Sequence, residues 1–183
     1  MIQNALTQVG LFLINIIFSF YITLVLLRFL LQWVKADFYN PYCQFLIRLT
    51  NPCLVPLRRV IPGFFGLDLA AVFLMIVLQA VQIILIALIS RISLSSWLIM
   101  PAISSLLTLI LNMYFWAILV RALLSWLNPD PYHPLIQVLD RLTDPVIRQF
   151  RKIIPVFSGI DLSPLAALIV IQVILIFVHA LVP

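Results

Sequence analysis

Four long apolar stretches dominate the pattern of hydrophobic and polar positions along the chain. They cover approximately residues 9–34, 67–89, 97–127 and 162–182. A helix needs roughly 20 residues to cross a hydrocarbon core of about 30 Å, so each stretch is long enough to span a membrane. The first and third exceed this minimum, which predicts tilted helices or exposed helix ends. Pro101 lies within the first turn of the third predicted helix, where a proline is tolerated.

The two connections at 35–66 and 128–161 carry a shorter, amphipathic pattern. In the second connection, apolar residues recur at helical spacing on both sides of Thr143-Asp144-Pro145, with basic residues on the opposite face. Thr143 or Asp144 can cap a second short helix, and Pro145 suits the first position of that helix. The pattern predicts amphipathic helical hairpins at the membrane interface. A soluble helical pair packed under the transmembrane helices is the alternative.

Composition identifies lipid as the main solvent of this chain. Of its 183 residues, 64% are hydrophobic and only 9% are charged. Soluble domains average about 45–50% apolar and about 25% charged residues. So short a chain cannot bury this much apolar surface in a soluble core. We therefore expect an integral membrane protein.

The distribution of charge predicts the orientation of the chain in the membrane. The sequence has 11 Lys and Arg against 6 Asp and Glu, for a net charge of +5. Every basic residue except Arg91 lies in the two connections or at the helix ends that lead into them. Because basic residues concentrate in cytoplasmic loops, we expect both connections in the cytoplasm and both termini outside. The basic loops are expected to bind anionic lipid head groups of the bilayer, and not nucleic acid directly.

The chain also repeats itself at an offset of 93 residues without a gap. Segment 21–79 aligns with segment 114–172 with about 25 identities, and the matches extend into the loops. In the first copy the shared loop and helix-end residues are Arg28, Trp33, Pro41, Arg48, Thr50, Pro52, Arg58, Pro62, Gly66 and Asp68. In the second copy they are Arg121, Trp126, Pro134, Arg141, Thr143, Pro145, Arg151, Pro155, Gly159 and Asp161.

This duplication predicts two units, residues 1–93 and 94–183, with two spans in each. An even number of spans gives both units the same orientation, so a pseudo-two-fold axis along the membrane normal should relate them. Parallel repeats are unlike the inverted repeats that commonly underlie alternating access. The predicted fold is all-α: a four-helix transmembrane bundle built as a tandem parallel duplication, with amphipathic interfacial helical hairpins.

Ionisable residues inside the spans are the first functional candidates. Arg28 lies near the end of its helix and Asp68 begins the next helix at the same membrane face; Arg121 and Asp161 repeat this arrangement. Each aspartate can cap its helix and also pair with the arginine of its own repeat. We expect this ion pair to have a structural role, and a substrate site is the alternative.

Uncharged polar residues within the spans form a second group of candidates. They fall at helical spacing, on one face of the first and third helices in particular. We call this group the polar seam, and its predicted members are Asn15, Ser19, Thr23, Gln79, Gln82, Ser104, Thr108, Asn112 and Gln172. The seam predicts hydrogen bonds between helices, and a narrow water or ion path is the alternative.

No arrangement of residues typical of an enzyme is present in the sequence. Gly-rich phosphate loops, nucleophile elbows and metal-binding motifs are missing. Cys43 and Cys53 are expected to be inert thiols, and His133 and His179 to have capping or interface roles. We expect no cofactor, no metal and no catalytic residue.

The motifs of each unit resemble those of one family. R-x-L-L-x-W, R-L-T-[ND]-P, R-[RK]-x-I-P and G-[LI]-D-L, placed between two apolar spans, resemble the YggT/YlmG family of small bacterial and plastid membrane proteins. The second copy also has the D-x-S-P pattern of that family, in Asp161-Leu162-Ser163-Pro164, whereas the first copy reads Asp68-Leu69-Ala70-Ala71.

This resemblance implies a non-enzymatic protein of the bacterial inner membrane, where the outward termini predicted from the charge distribution are periplasmic. Relatives are linked to osmotic-shock tolerance, cation uptake, division gene clusters and, in plastids, cytochrome maturation. We therefore expect a scaffold or assembly factor that supports tolerance of osmotic stress, with membrane proteins or a second copy of the chain as partners. A small channel or a cation-transport accessory protein is the alternative.

Overall fold

The computed structural model describes residues 2–63, 66–90, 99–127, 130–154 and 161–181. Across these ranges the chain forms six helices and confirms the all-α prediction. In chain order they are α1 (Ile2–Trp33), α2 (Pro41–Val60), α3 (Leu69–Ser90), α4 (Ile99–Trp126), α5 (Pro134–Arg151) and α6 (Ser163–Leu181). Four of them, α1, α3, α4 and α6, are long and apolar enough to cross a membrane. Pro101 is the third residue of α4, as predicted.

Each amphipathic connection contains one continuous helix, so the predicted hairpins are wrong. Pro52 and Pro56 lie inside α2, and Pro145 lies inside α5. A proline in a helix removes the hydrogen bond to the carbonyl four residues earlier. All three prolines are on exposed faces, where the freed carbonyls can be hydrated. The prolines therefore do not end the helices, and Thr143 and Asp144 are interior residues instead of caps.

Both amphipathic helices begin in the same way. The Asn40 Oδ1 atom accepts a hydrogen bond of 3.0 Å from the Tyr42 amide at the start of α2. His133 Nδ1 accepts one of 3.2 Å from the Leu135 amide at the start of α5, as its predicted capping role requires. A proline follows each cap at the first helical position, where its missing N–H costs nothing.

Each repeat packs its two spans together over its own amphipathic helix. In the first repeat α1 and α3 pair and both contact α2; in the second, α4 and α6 pair and both contact α5. Ile22, Leu26 and Leu54 are fully buried at the centre of the first core, and Ile118 and Ile147 at the centre of the second. Both amphipathic helices thus bury part of their apolar faces against the bundle, and their basic residues are exposed. We call this side of the molecule the basic face.

The two repeats do not contact each other symmetrically. The second span of the first repeat, α3, packs on α4, and α1 packs on α5. A pseudo-two-fold axis would place α6 on α1 and α4 on α2 in the same way. Neither pair packs comparably among the described helices. The predicted two-fold symmetry is therefore not met, and α1 and α6 form an open edge of the bundle.

Candidate functional site

Arg28 links α1 to α2 through hydrogen bonds at the end of the first span. Its side chain is only 5% exposed. The Nη1 group donates to Thr50 Oγ1 at 2.6 Å and to Asn51 Oδ1 at 2.9 Å. Thr50 is fully buried and donates in turn to the Leu46 carbonyl at 2.6 Å, one turn earlier in α2. We call Arg28 with Thr50 and Asn51 the first clasp.

Arg121 makes the equivalent link in the second repeat, with a different balance of charge. It donates to Thr143 Oγ1 at 2.8 Å. It also forms ion pairs with Asp140 at 2.8 Å and with Asp144 at 2.7 Å. We call this group the second clasp. At the equivalent positions the first repeat has Ile47 and Asn51, so two carboxylates neutralise Arg121, whereas no carboxylate of the described residues contacts Arg28.

The aspartates that begin α3 and α6 pair with residues other than those predicted. Asp68 accepts hydrogen bonds from Arg58, with the Nε contact at 3.1 Å, and Asp161 accepts one of 2.7 Å from Arg151 Nε. The predicted Arg28–Asp68 and Arg121–Asp161 pairs are therefore wrong. The reason is that a continuous α2 or α5 places its middle beside the arginine of the preceding span and its end beside the aspartate of the following span.

The predicted capping role of the aspartates agrees with the structure. Asp68 Oδ1 accepts from the Ala71 amide at 3.3 Å, and Asp161 Oδ1 accepts from the Ser163 amide at 2.9 Å. Partial burial raises the pKa of Asp161, but the hydrogen bonds from Ser163 and Arg151 outweigh it and hold that pKa below its usual value. Each aspartate thus joins the end of an amphipathic helix to the start of the next span.

The two repeats therefore fasten each amphipathic helix at two points. A clasp holds its middle to the preceding span, and an Arg–Asp pair holds its end to the following span. Among the remaining repeat residues, Trp33 and Trp126 are exposed at the ends of their spans, and Arg48 and Arg141 are exposed on the amphipathic helices. Pro62 and Gly66, whose φ is +80°, lie in the turn before Asp68. The predicted repeat residues Pro155 and Gly159 lie outside the described residues.

Most of the polar seam lines one cavity of about 430 Å³ between the spans. The cavity lies away from the basic face, in the half of the spans nearer the chain termini. Its polar lining comes from four helices and consists of Asn15, Ser19, Gln79, Gln82, Ser104, Ser105, Thr108, Asn112 and His179. Sequence reasoning missed Ser105 and His179 as lining residues, although Ser105 directly follows a predicted member of the seam.

Hydrogen bonds inside the cavity join α1 to α3. Gln82 Nε2 donates to Asn15 Oδ1 at 2.9 Å, and Gln79 Nε2 donates to Gln82 Oε1 at 3.3 Å. Ser104 donates to the Pro101 carbonyl within its own helix at 3.0 Å. The seam is thus partly a set of bonds between helices, as predicted, and partly the wall of an open space.

Two predicted members of the seam lie elsewhere. Thr23 donates to the Ser19 carbonyl at 2.6 Å and lines a second, largely apolar cavity between α1, α4 and α5. Gln172 is exposed on α6 and has no hydrogen-bond partner in the described part of the chain. The assignment of both residues to the seam is therefore wrong. Helical spacing predicted which residues share a face, but it could not predict which neighbour that face meets.

The polar cavity ends on a packed apolar layer. Its lining on α1 stops at Ser19, and Ile22, Val25 and Leu26 on the following turn are at most 1% exposed. These side chains belong to the core of the first repeat, which continues to α2. The polar lining is therefore confined to one half of the bundle, and the second, largely apolar cavity adjoins it through the shared residues Leu109 and Asn112 and continues to α5.

Comparison with known proteins shows which family has this arrangement. The CCB3/YggT family matches the chain in two consecutive segments, residues 7–89 and 100–182. The chain belongs to the CCB3/YggT family. The two YggT segments correspond to the two repeats, and the resemblance read from the loop motifs is confirmed.

Individual YggT relatives are similar over nearly the whole chain. The uncharacterized protein PA0392 of Pseudomonas aeruginosa is 39% identical over 172 residues, which are 92% of this chain and 87% of that protein. The protein YggT of Escherichia coli K12 is 34% identical over 94% of this chain and 88% of its own length. The ycf19 protein of Guillardia theta is 38% identical over 66 residues, 36% of this chain and 72% of that protein, so it is about as long as one repeat. No solved structure gives a significant match.

Proposed function

We propose that this YggT protein is a non-enzymatic, non-conducting scaffold of the bacterial inner membrane that supports other membrane components during osmotic stress. The observation that carries the proposal is that the polar lining ends at Ser19 on α1, and that only largely apolar surroundings follow towards the basic face: the packed Ile22, Val25 and Leu26 on one side and the apolar wall of the second cavity on the other. Water and ions cross a bilayer through a continuous polar or hydrated path, and an apolar stretch interrupts such a path because water does not enter it readily. The cavity then serves the packing of the spans or the binding of a partner.

The basic face is the proposed docking surface of the scaffold. The clasps and the Arg–Asp pairs hold α2 and α5 in fixed positions under the bundle, so their outer faces form a rigid basic layer. Arg59 and Lys152 occupy equivalent repeat positions on this layer, and both are exposed. Such residues attract anionic lipid head groups and acidic partner segments. With the basic face in the cytoplasm, both termini lie in the periplasm.

The second candidate function is a small channel or a cation-transport accessory protein. The observation that favours it is the lining of the cavity, because several amides and hydroxyls within a span can bind water or a cation. In that case the packed layer would act as a gate, and its movement would complete the path.

Reconstitution in liposomes tests the choice between scaffold and channel. We expect no flux of K⁺, Na⁺ or H⁺ above that of empty vesicles, with or without an osmotic gradient, while gramicidin in the same vesicles gives full flux. Asn112→Leu removes part of the polar lining of the cavity and should leave permeability unchanged. Saturable flux that Asn112→Leu abolishes in a folded protein would establish the channel instead.

Complementation of a deletion strain tests the role of the basic face. We expect the wild-type chain and Asn112→Leu to restore growth after an osmotic shift, and the charge-removing variant Arg59→Gln/Lys152→Gln to fail at equal expression. Rescue by the charge-removing variant together with failure of Asn112→Leu would contradict the scaffold.

A reporter fused after Pro183 should report a periplasmic location, and one inserted near Asp130 a cytoplasmic location.

A further inference from the structure

We propose that a second copy of this chain packs its α1 against the exposed face of α6, through an interface that repeats the internal contact of α4 with α3. The proposal holds for a scaffold and for a channel alike. It rests on the asymmetry between the repeats. One side of α3 packs on α4, but the equivalent side of α6 packs on no other described helix.

The same helix face is buried in one repeat and exposed in the other. On α3, Val72, Gln79, Ile83 and Ile86 lie on one face, at least partly covered, and the last three line the polar cavity opposite α4. The equivalent residues of α6, 93 positions later, are Leu165, Gln172, Ile176 and His179. Leu165 is 56% exposed, Ile176 is 66% exposed and Gln172 is exposed as well, whereas His179 near the end of α6 lines the polar cavity. From Leu165 to Ile176, a face with the spacing of a packing surface thus has no packing partner among the described helices.

Gln172 indicates that this face of α6 contacts another helix and does not only face lipid. It lies in the middle of α6, where the bilayer offers no water to its amide, and it has no hydrogen-bond partner in the described part of the chain. Its equivalent Gln79 is 8% exposed and bonds to Gln82. A side-chain amide in hydrocarbon is unfavourable unless another helix provides a partner. A neighbouring span at this position would provide one.

The partner face is the matching side of α1. Opposite Gln79, the cavity is lined on α4 by Ser105, Thr108 and Asn112. Their equivalents on α1 are Phe12, which is 62% exposed, and Asn15 and Ser19, which also line the polar cavity of their own chain; of these two, Asn15 is exposed. The Oδ1 atom of Asn15 accepts from Gln82, and its amide N–H groups remain available to a Gln172 carbonyl of the second copy. The internal interface thus predicts that Gln172 of one copy lies beside Asn15 of the next.

The amphipathic helices show the same asymmetry independently. Val138 of α5 packs against the core of the first repeat, because α5 contacts α1. The equivalent residue of α2 is Phe45, which is 59% exposed. In the proposed assembly α2 of the second copy lies beside α4 of the first copy, so α4 of the first copy covers Phe45 of the second copy. A contact of this head-to-tail type closes into a ring or extends as a chain of copies.

Disulfide cross-linking between separately encoded copies tests the interface. One chain carries Asn15→Cys and a first tag, the other carries Gln172→Cys and a second tag, and both carry Cys53→Ser, while the buried Cys43 is retained. After oxidation in native membranes we expect a reducible product that contains both tags. The matched control carries Leu107→Cys instead of Asn15→Cys, at an exposed position of similar depth on α4. We expect this control to give about tenfold less product, because a disulfide forms only between cysteines whose Cα atoms are close.

The double variant Asn15→Cys/Gln172→Cys separates the possible arrangements. A dimer or a ladder of larger species supports the proposal, as a ring or an extended chain respectively. A cross-link formed only within single chains would show that α6 closes on its own α1, which would overturn it. Product no greater than that of the Leu107→Cys control would also overturn it. So would native mass spectra that show monomers alone at every protein concentration in mild detergent.

Discussion

Asn40 and Pro134 join the two repeats through a hydrogen bond of 2.8 Å from the Asn40 side-chain amide to the Pro134 carbonyl. The same asparagine caps α2 through its Oδ1 atom, and Pro134 is the first residue of α5. Asn40 is buried at this junction. One side chain therefore fixes the start of α2 and its position relative to α5.

The two roles of Asn40 can be separated by substitution. Asn40→Asp keeps the capping oxygen but cannot donate to Pro134, so we expect a loss of about 1 kcal/mol in the free energy of unfolding. Asn40→Ala loses both bonds and should cost about 2–3 kcal/mol. His133→Ala, which removes the equivalent cap of α5, serves as the control for capping alone. If Asn40→Asp had the same free energy of unfolding as the wild type in denaturant, the hydrogen bond between the repeats would contribute nothing to stability.

The two clasps should differ in their dependence on threonine. Thr50→Val removes one of the few acceptors of Arg28, which has no carboxylate in contact, and should cost about 2–3 kcal/mol. Thr143→Val should cost about 1 kcal/mol, because Asp140 and Asp144 still bind Arg121. The comparison uses unfolding midpoints of both variants in the same detergent. A larger effect of Thr143→Val would contradict the proposed difference in charge balance.

A double-mutant cycle checks which arginine pairs with Asp161. We expect Arg151→Ala and Asp161→Ala to show a coupling energy of about 0.2–1 kcal/mol, the range for partly exposed ion pairs. Arg121→Ala and Asp161→Ala should be additive, since these residues share no contact in the described structure. The free energy of unfolding of each single and double variant gives both cycles. Coupling of Asp161 with Arg121 and not with Arg151 would support the pairing expected from the sequence.

Acid should destabilise the protein partly through Asp161. Its pKa is held below the ordinary value of 3.8, so the ionised carboxylate stabilises the fold at pH values above 3.8. This contribution is lost as the pH falls through the lower pKa of the folded state, where the carboxylate takes up a proton. We expect the melting temperature of the wild type to fall more steeply below pH 4 than that of Asp161→Asn. If the melting temperatures of the wild type and Asp161→Asn fell in parallel with pH, Asp161 would have the same pKa in the folded and the unfolded state.

The sequence predicted the spans and the duplication well because both depend on local or repeated information. Apolar length identifies α1, α3, α4 and α6, and the recurrence of residues such as Arg28 at Arg121 identifies the repeats. The partners of these arginines could not be predicted in the same way. Pro145 was interpreted as a helix start because proline fits that position, yet proline is also tolerated where its freed carbonyl faces water. Once α5 is continuous, Thr143 and Asp144 face Arg121.

The position of Gln172 was unpredictable for a different reason. Its repeat equivalence to Gln79 predicted a place in the polar seam, and the internal similarity between the two residues is real. The surroundings of the two glutamines differ because α3 lies between α1 and α4, whereas α6 lies at the open edge. Identical residues in a duplicated chain therefore occupy different environments whenever the copies contact each other head to tail.

The buried position of Arg28 sets an order for biosynthesis. The ribosome makes α1 before α2, so Arg28 reaches the membrane before Thr50 and Asn51 exist to accept its hydrogen bonds. Until then its guanidinium group can be solvated only by extending to the head-group region, with α1 placed accordingly. We expect docking of α2 to draw the side chain inward and so to fix the depth of the span. The second half follows the same sequence at Arg121, so each repeat completes its insertion only when its amphipathic helix has folded.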